Sequence, residues 1–313
     1  MANKKSLGQE LNSNYSTTRL LSKQQPILHN SQDSKIKSSI FWSSENPKKI
    51  DGGLRRKGCF KQTLLDQPLI SVITVVYNGE MHLEQTINSI INQTYNNVEY
   101  IVIDGGSKDG TLDIIRKYDS AIDYWISEPD KGIADAMNKG ISLATGEYIV
   151  FIHADDYFYS NKVINNAINI IDKESNIIMF PVLFGEKLVE IIPRKFNWWV
   201  NFKIPACHQG ILCKLDLFRN IGDFDTQFKI DMDYDFLLRA YRRKVKAQRV
   251  TSVLSVMRDT GISSRKDINS LLQRFNEERK VHKKNYHSRI LALLYKIYWF
   301  CYLNYKKLGF IIQ

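Results

Sequence analysis

The chain has 313 residues, 43% hydrophobic and 12% aromatic, enough to bury the core of one large α/β domain or two smaller ones. Gly and Pro are not in excess, which excludes collagenous and globally disordered classes, and the four cysteines show no Cys-x-x-Cys spacing, which argues against a zinc site or disulfide framework and for a reducing compartment. The net charge of +11 is uneven: residues 1–68 carry twelve Lys and Arg against five Asp and Glu, residues 69–160 five against fourteen, and residues 161–313 twenty-seven against fourteen, so the acidic middle favours a metal site and argues against a nucleic-acid groove.

Residues 1–68 are rich in Ser, Asn, Gln and Lys, which reads as a polar, loosely attached and mobile extension without an apolar signal-peptide core. Residues 69–77 form a β-branched run bounded by Pro68 and by Asn78-Gly79, the pattern of a buried strand. Leu83, Ile87, Ile90 and Ile91 then recur at helical spacing. A second buried strand covers 98–103, a helix runs to about Tyr118, and a third strand lies near Tyr124-Trp125-Ile126. This alternation predicts a parallel sheet with right-handed crossovers. A helix over 133–143 follows, then the apolar run 148–152 and a helix over 160–171.

Three strand-to-helix connections carry candidate chemistry. The loop Asp104-Gly105-Gly106-Ser107-Lys108-Asp109-Gly110-Thr111 is glycine-rich, but neither a Walker A sequence nor Gly-x-Gly-x-x-Gly. Its Asp104 is placed to accept from a base N–H or a ribose hydroxyl, and the alternative is a plain Asp-Gly turn. In Asp130-Lys131-Gly132, a helix N-terminus and the Lys131 cation suit a phosphate, unless Asp130 and Asp135 merely cap and solvate that helix. The adjacent carboxylates Asp155 and Asp156 follow the apolar run 148–152. Ligands of an open α/β sheet bind beyond the carboxyl ends of its strands, where two such carboxylates need a cation or several donors. Mg²⁺ takes one or two carboxylates together with phosphate oxygens; the alternative is a helix-capping turn.

The ordered set Ile70 to Asn78, Ile103 to Thr111, Asp130 to Gly140, Ala144 to Tyr148 and Ala154-Asp155-Asp156 resembles family-two glycosyltransferases. So do His208-Gln209-Gly210, Gly222-Asp223-Phe224-Asp225 and Asp233 to Arg239, in the branch that builds bacterial surface polysaccharides such as O-antigen. The resemblance spans about residues 69–265. It implies the GT-A fold, a Rossmann-like mixed sheet flanked by helices, with a nucleotide-sugar half (69–160), an acceptor half (161–265) and a helical C-terminal tail (266–313). By the same resemblance, Tyr77 and the backbone near Val75 hold the base of a nucleotide sugar, most commonly UDP-linked. Asp104 accepts from the base, Lys131 contacts the diphosphate or base, and Asp155 reaches the ribose. Asp156 ligates Mg²⁺ or Mn²⁺, Asp233 is the catalytic base of an inverting transfer, and Asp235 braces that segment with Arg239. His153 stands where relatives more often have Asp or Asn. Gly105 stands where many have a second carboxylate. His208 is left between a diphosphate or metal contact and an ordinary loop hydrogen bond. A nucleotidyltransferase would show Arg and Lys near the first strand, which Tyr77-Asn78-Gly79-Glu80 does not. A non-catalytic relative would be expected to lose Asp156 or Asp233.

Residues 290–303 are almost wholly apolar and aromatic, too short to span a bilayer. Arg289, Lys296 and Lys307 fall on one helical stripe. Residues 288–313 are therefore expected to lie on an anionic membrane surface, at the cytoplasmic face of the plasma membrane, where a lipid-linked saccharide acceptor would be met. The alternative is a helix packed on the enzyme.

Overall fold

A computed structural model describes residues 14–28, 30–261 and 267–311, with side chains described as far as residue 304. Residues 1–13 of the expected extension, the 265/266 boundary, residues 312 and 313 and the Lys307 side chain lie outside this description. In chain order the strands are β1 (Ile50–Gly52), β2 (Ile70–Val76), β3 (Val98–Asp104), β4 (Tyr124–Ser127), β5 (Tyr148–Phe151), β6 (Tyr157–Phe158), β7 (Ile177–Met179), β8 (Val182–Phe184), β9 (Val189–Ile191), β10 (Ile211–Lys214), β11 (Ala247–Arg249) and β12 (Ser255–Met257). The helices are α1 (Leu83–Ile91), α2 (Thr111–Lys117), α3 (Ile133–Leu143), α4 (Val163–Ile170), α5 (Leu215–Ile221), α6 (Met232–Arg242), α7 (Ile268–Asn285) and α8 (Arg289–Ile311).

The β-branched runs form the centre of an eight-stranded sheet of order β1-β4-β3-β2-β5-β10-β7-β11. Strands β4, β3, β2 and β5 are parallel, whereas β10 runs antiparallel to β5 and β7, and β1 antiparallel to β4. Every residue of β2 and β3 is buried, because helices cover both faces. The strand period divides β2 between two cores, with Ile70, Val72 and Val76 on one face and Ile73 and Val75 on the other. Each such side chain contributes about 1.5–3 kcal/mol when fully buried. A second sheet, β6-β12-β8-β9, extends the fold beside β5 and β10.

The described part of the N-terminal segment departs from expectation, whereas the C-terminal tail is helical as expected and packs on the rest of the chain along one face. Residues 14–68 are not a loose extension in their described part: Ser16 donates to the carbonyls of Ile91 and Ile90, and β1 joins the sheet edge. Arg55 is buried against Glu99 at 2.6 Å, and Ser71 and Thr145 complete that carboxylate's bonding. Short polar side chains can be buried when the backbone or a charge partner satisfies them, and hydropathy alone does not register this. At the other end, Leu291, Tyr295 and Trp299 of α8 are buried with Phe202 and Phe275. His282 of α7 organises this cluster, accepting from Trp299 Nε1 at 2.9 Å and lying 2.8 Å from the Tyr234 hydroxyl of α6. The opposite face of α8 leaves Ile290, Leu293, Ile297 and Phe300 exposed. No described helix is long and apolar enough to cross a membrane.

Candidate active site

Because β2 to β5 are parallel, their carboxyl ends bring Tyr77, Asp104, the loop after Ser127 and the turn after Phe151 to one edge of the sheet. Tyr77 is 62% exposed just past the end of β2, while Val75 is buried within it. Asn78 takes a left-handed φ of 51° and binds the next loop through Ser107 and the Lys108 N–H. Asp104 does not face outward as the sequence implies. It has no exposed surface, and its carboxylate accepts from the Ser107 N–H, the Ser107 hydroxyl and the Ser127 hydroxyl. It therefore shapes the loop. Lys131 is exposed, and its ammonium makes no hydrogen bond or ion pair among the described residues.

Asp155 and Asp156 lie in the turn between β5 and β6. Asp156 is 1% exposed; its Oδ2 accepts from Gln209 Nε2 at 2.9 Å and its Oδ1 from the Arg258 N–H at 3.2 Å. Both donors are uncharged. Burial, with the adjacent Asp155 adding, pushes the Asp156 carboxyl up to about 7. Asp155 is the more open of the two and accepts from the Thr260 hydroxyl at 3.0 Å, and the Arg258 guanidinium holds its carbonyl oxygen. No group of three or more His, Cys, Asp or Glu able to hold an ion is found among the described residues. Two adjacent carboxylates met only by neutral donors fit a divalent cation whose remaining ligands come from a diphosphate, since each bonded oxygen keeps a second lone pair.

Asp233 reaches the same constellation from the first turn of α6. Its Oδ1 accepts from the Tyr234 N–H, and its Oδ2 lies 3.3 Å from His208 Nδ1. His208 and Gln209 are consecutive residues of one 3-10 turn, so a single turn touches both Asp233 and Asp156. The His153 ring lies 4.7 Å from that of His208, and its two nitrogens, like His208 Nε2, are buried without a partner. Burial first, and His208 second, hold His153 well below the usual histidine range. Nearby Asp231 is pushed up to about 8, by burial first and then by the charge of Asp233. Asp235 is fully buried and braced by Arg239 at 2.9 Å, with Lys284 and Asn285 also bound.

Sequence reasoning missed four contributors. Gln209 lies inside a quoted motif, but nothing in its type marks it as a carboxylate partner. Arg258 and Thr260 follow β12, far from the turn in sequence. Glu277 of α7 accepts from the N–H groups of Lys229, Ile230 and Asp231 at 2.9, 2.8 and 3.3 Å, immediately before the helix that carries Asp233. The sheet's other edge holds a groove of about 800 Å³ lined by Gln62, Glu147, Lys214 and Arg219, away from the strand carboxyl ends.

Residues 71–246 match the family described as "Glycosyl transferase family 2". An uncharacterized glycosyltransferase of Mycobacterium tuberculosis is 29% identical over 224 residues, covering 69% of this chain and 85% of that one. Among solved structures, residues 1–349 of S. aureus TarS in complex with UDP-GlcNAc align with a TM-score of 0.53 at 19% identity, over 65% of this chain and 60% of that chain. The mannosyltransferase PcManGT from Pyrobaculum calidifontis, in complex with GDP-Man and Mn²⁺, aligns with a TM-score of 0.54 at 18% identity, over 72% and 67%. The mixed sheet and its flanking helices are those of the GT-A fold.

Proposed function

Because the chain belongs to glycosyl transferase family 2, we propose that it transfers a hexose-type sugar from a nucleotide sugar, UDP-linked, to a hydroxyl of a lipid-linked saccharide, with inversion, in bacterial surface-polysaccharide (O-antigen) biosynthesis. The observation that carries this reading is the His208-Gln209 turn, which ties the Asp155-Asp156 pair to Asp233. Tyr77 and the backbone at Val75 hold the nucleoside, Asp155 the ribose and Lys131 the diphosphate. Asp156 ligates Mg²⁺ or Mn²⁺, which when bound stabilises the charge that develops on the leaving diphosphate. Asp233 takes the proton of the acceptor hydroxyl as it attacks, a contribution commonly worth about 10²- to 10⁴-fold. Attack on the face opposite the leaving group inverts the anomeric configuration. Burial pushes the neighbouring Asp231 carboxyl up to about 8, so that it adds little negative charge beside Asp233 at neutral pH.

The exposed face of α8, flanked by Arg289 and Lys296, supports a peripheral position on an anionic membrane at the cytoplasmic face, beside the acceptor half. The test is a panel of UDP-, GDP-, dTDP- and CDP-sugars with soluble saccharide acceptors, with Mg²⁺ or Mn²⁺ and with chelator. Metal-dependent release of nucleoside diphosphate, with an inverted linkage by proton NMR, is the expected result. Absence of release from every donor, or a retained configuration, contradicts the proposal.

A further inference from the structure

At Gly105 a side chain would have to displace the carboxylate of Asp130. A Cβ built there would lie 2.5 Å from Asp130 Oδ2, 3.2 Å from Asp130 Cγ and 3.4 Å from Cδ2 of the Tyr77 ring. Such a separation does not occur between real atoms, so the glycine is what allows the loop after β4 to press its carboxylate against the loop after β3. Asp130 thus occupies the space a side chain at position 105 would take. Its Oδ1 accepts from the Gly132 N–H at 2.8 Å, which fixes the group, while the hydrogen bonds of the described residues leave Oδ2 open. Asp130 is half-buried, beside the exposed Tyr77 ring. Burial raises its carboxyl above the ordinary value, and the nearby charges of Asp135 and Asp104 add to this. A hydrogen-bond donor at Oδ2 would relieve that penalty. Of the two carboxylates Asp104 is the less accessible, with no exposed surface and its oxygens accepting from Ser107 and Ser127, whereas Asp130 is half-buried.

We infer that Asp130, seated over Gly105 beside the Tyr77 ring, is the acceptor that reads the donor's nucleobase, and that it selects a base with a protonated ring nitrogen: uracil, thymine or guanine. This rests on the nucleotide-sugar reading given above and adds a specificity residue to it. The ring stacks on Tyr77, and the ring N–H donates to Oδ2. Cytosine and adenine present an unprotonated ring nitrogen at the equivalent place, and its lone pair opposes a carboxylate. The shared recognition element is the ring N–H, and the nucleotide panel below separates the three bases that carry it.

Calorimetry of the full chain with UDP, dTDP, GDP, CDP and ADP in the presence of Mn²⁺, and with N3-methyl-UDP, tests this. Asp130→Asn keeps an oxygen for the Gly132 N–H, so the loop holds its shape while the charged acceptor is lost. Loss of a hydrogen bond to a charged group corresponds to about a ten- to hundredfold weaker affinity. Wild-type protein is expected to bind N3-methyl-UDP weaker than UDP by that factor, and Asp130→Asn to bind both equally weakly. Gly105→Asp combined with Asp130→Gly, which moves the carboxylate across the contact, is expected to recover UDP binding to within about fivefold, since the same charged bond is rebuilt. Undiminished UDP binding by Asp130→Asn overturns the inference, as does equal wild-type affinity for UDP and N3-methyl-UDP or for UDP and CDP. If the wild-type chain binds none of the five nucleotides, the nucleotide-sugar reading itself fails, a result distinct from all of these.

Discussion

Glu277 lies beyond the segment that resembles the family, yet its carboxylate holds three successive N–H groups at the entrance to α6. Glu277→Gln keeps the size and one acceptor oxygen but removes the charge. A bond to a charged acceptor contributes roughly 1.5–3 kcal/mol and one to a neutral acceptor roughly 0.5–1.5. Three bonds at that difference, with the 3.3 Å bond discounted for length and a small helix-dipole contribution added, put the loss at about 3 kcal/mol. Asp233 sits one residue inside this helix, so a shift at its start moves the base. A displacement of about 1 Å at a reacting group can cost on the order of a hundredfold, so turnover should fall at least about tenfold. Donor affinity should hold, because among the described residues the side chains of Asp130 and Asp155 are bonded to Gly132 and Thr260, away from α7. Urea unfolding, calorimetry with the nucleotide and initial transfer rates separate the three quantities. A Glu277→Gln protein with unchanged stability and unchanged turnover would refute the reasoning, and one that lost donor binding alone would place α7 on the wrong side of the site.

Further outcomes follow from the same geometry. Asp156→Asn should abolish metal-dependent transfer while thermal unfolding shows stability held within about 1 kcal/mol or raised, because a buried, poorly compensated carboxylate becomes a neutral amide; a folded variant with metal-dependent activity would remove Asp156 from the metal. His208→Ala should lower turnover at saturating donor, yet add no further loss to Asp233→Asn, since residues that act through one group are not additive; additive losses would give His208 a separate task. Ile297→Glu with Phe300→Glu should release the protein from anionic vesicles without loss of soluble-acceptor transfer, because these positions are 51% and 72% exposed; unchanged vesicle binding would exclude this face. Burial holds His282 at about 3 against an ordinary value of 6.5, so the unfolded chain binds the extra proton between these values and stability falls on acidification. From pH 7 to 5 that is about 2 kcal/mol, and His282→Gln should flatten this part of the pH dependence of urea unfolding.

The central strands were legible because β2, β3 and β5 are buried on both faces and so are mostly apolar and rich in Val and Ile, and their tips carry punctuating Asn, Gly and Asp. Helices α1 and α3 followed from spacing. The described residues from 14 to 68 were not legible as fold, since Ser16 and Arg55 are buried by pairing with distant backbone and Glu99, which leaves no hydrophobic period. Asp104 and Asp130 show the limit most clearly. Both were readable as carboxylates at strand ends, but which one is enclosed depends on Ser107 and Ser127 and on the contact over Gly105, all set by tertiary approach. The apolar C-terminal run held two meanings at once. One face of α8 packs through Leu291, Tyr295 and Trp299, so truncation before Ser288 would uncover Phe202 and Phe275, and only the outer face is available to lipid.

Asp233→Asn tests the central claim most directly when donor binding and transfer are measured on the same preparation. The account predicts nucleotide-sugar affinity within about twofold of wild type and transfer slower by at least about a hundredfold, because the base acts on the acceptor and not on the donor. Wild-type transfer by a folded Asp233→Asn protein, or donor binding lost with a normal rate at saturation, would contradict it.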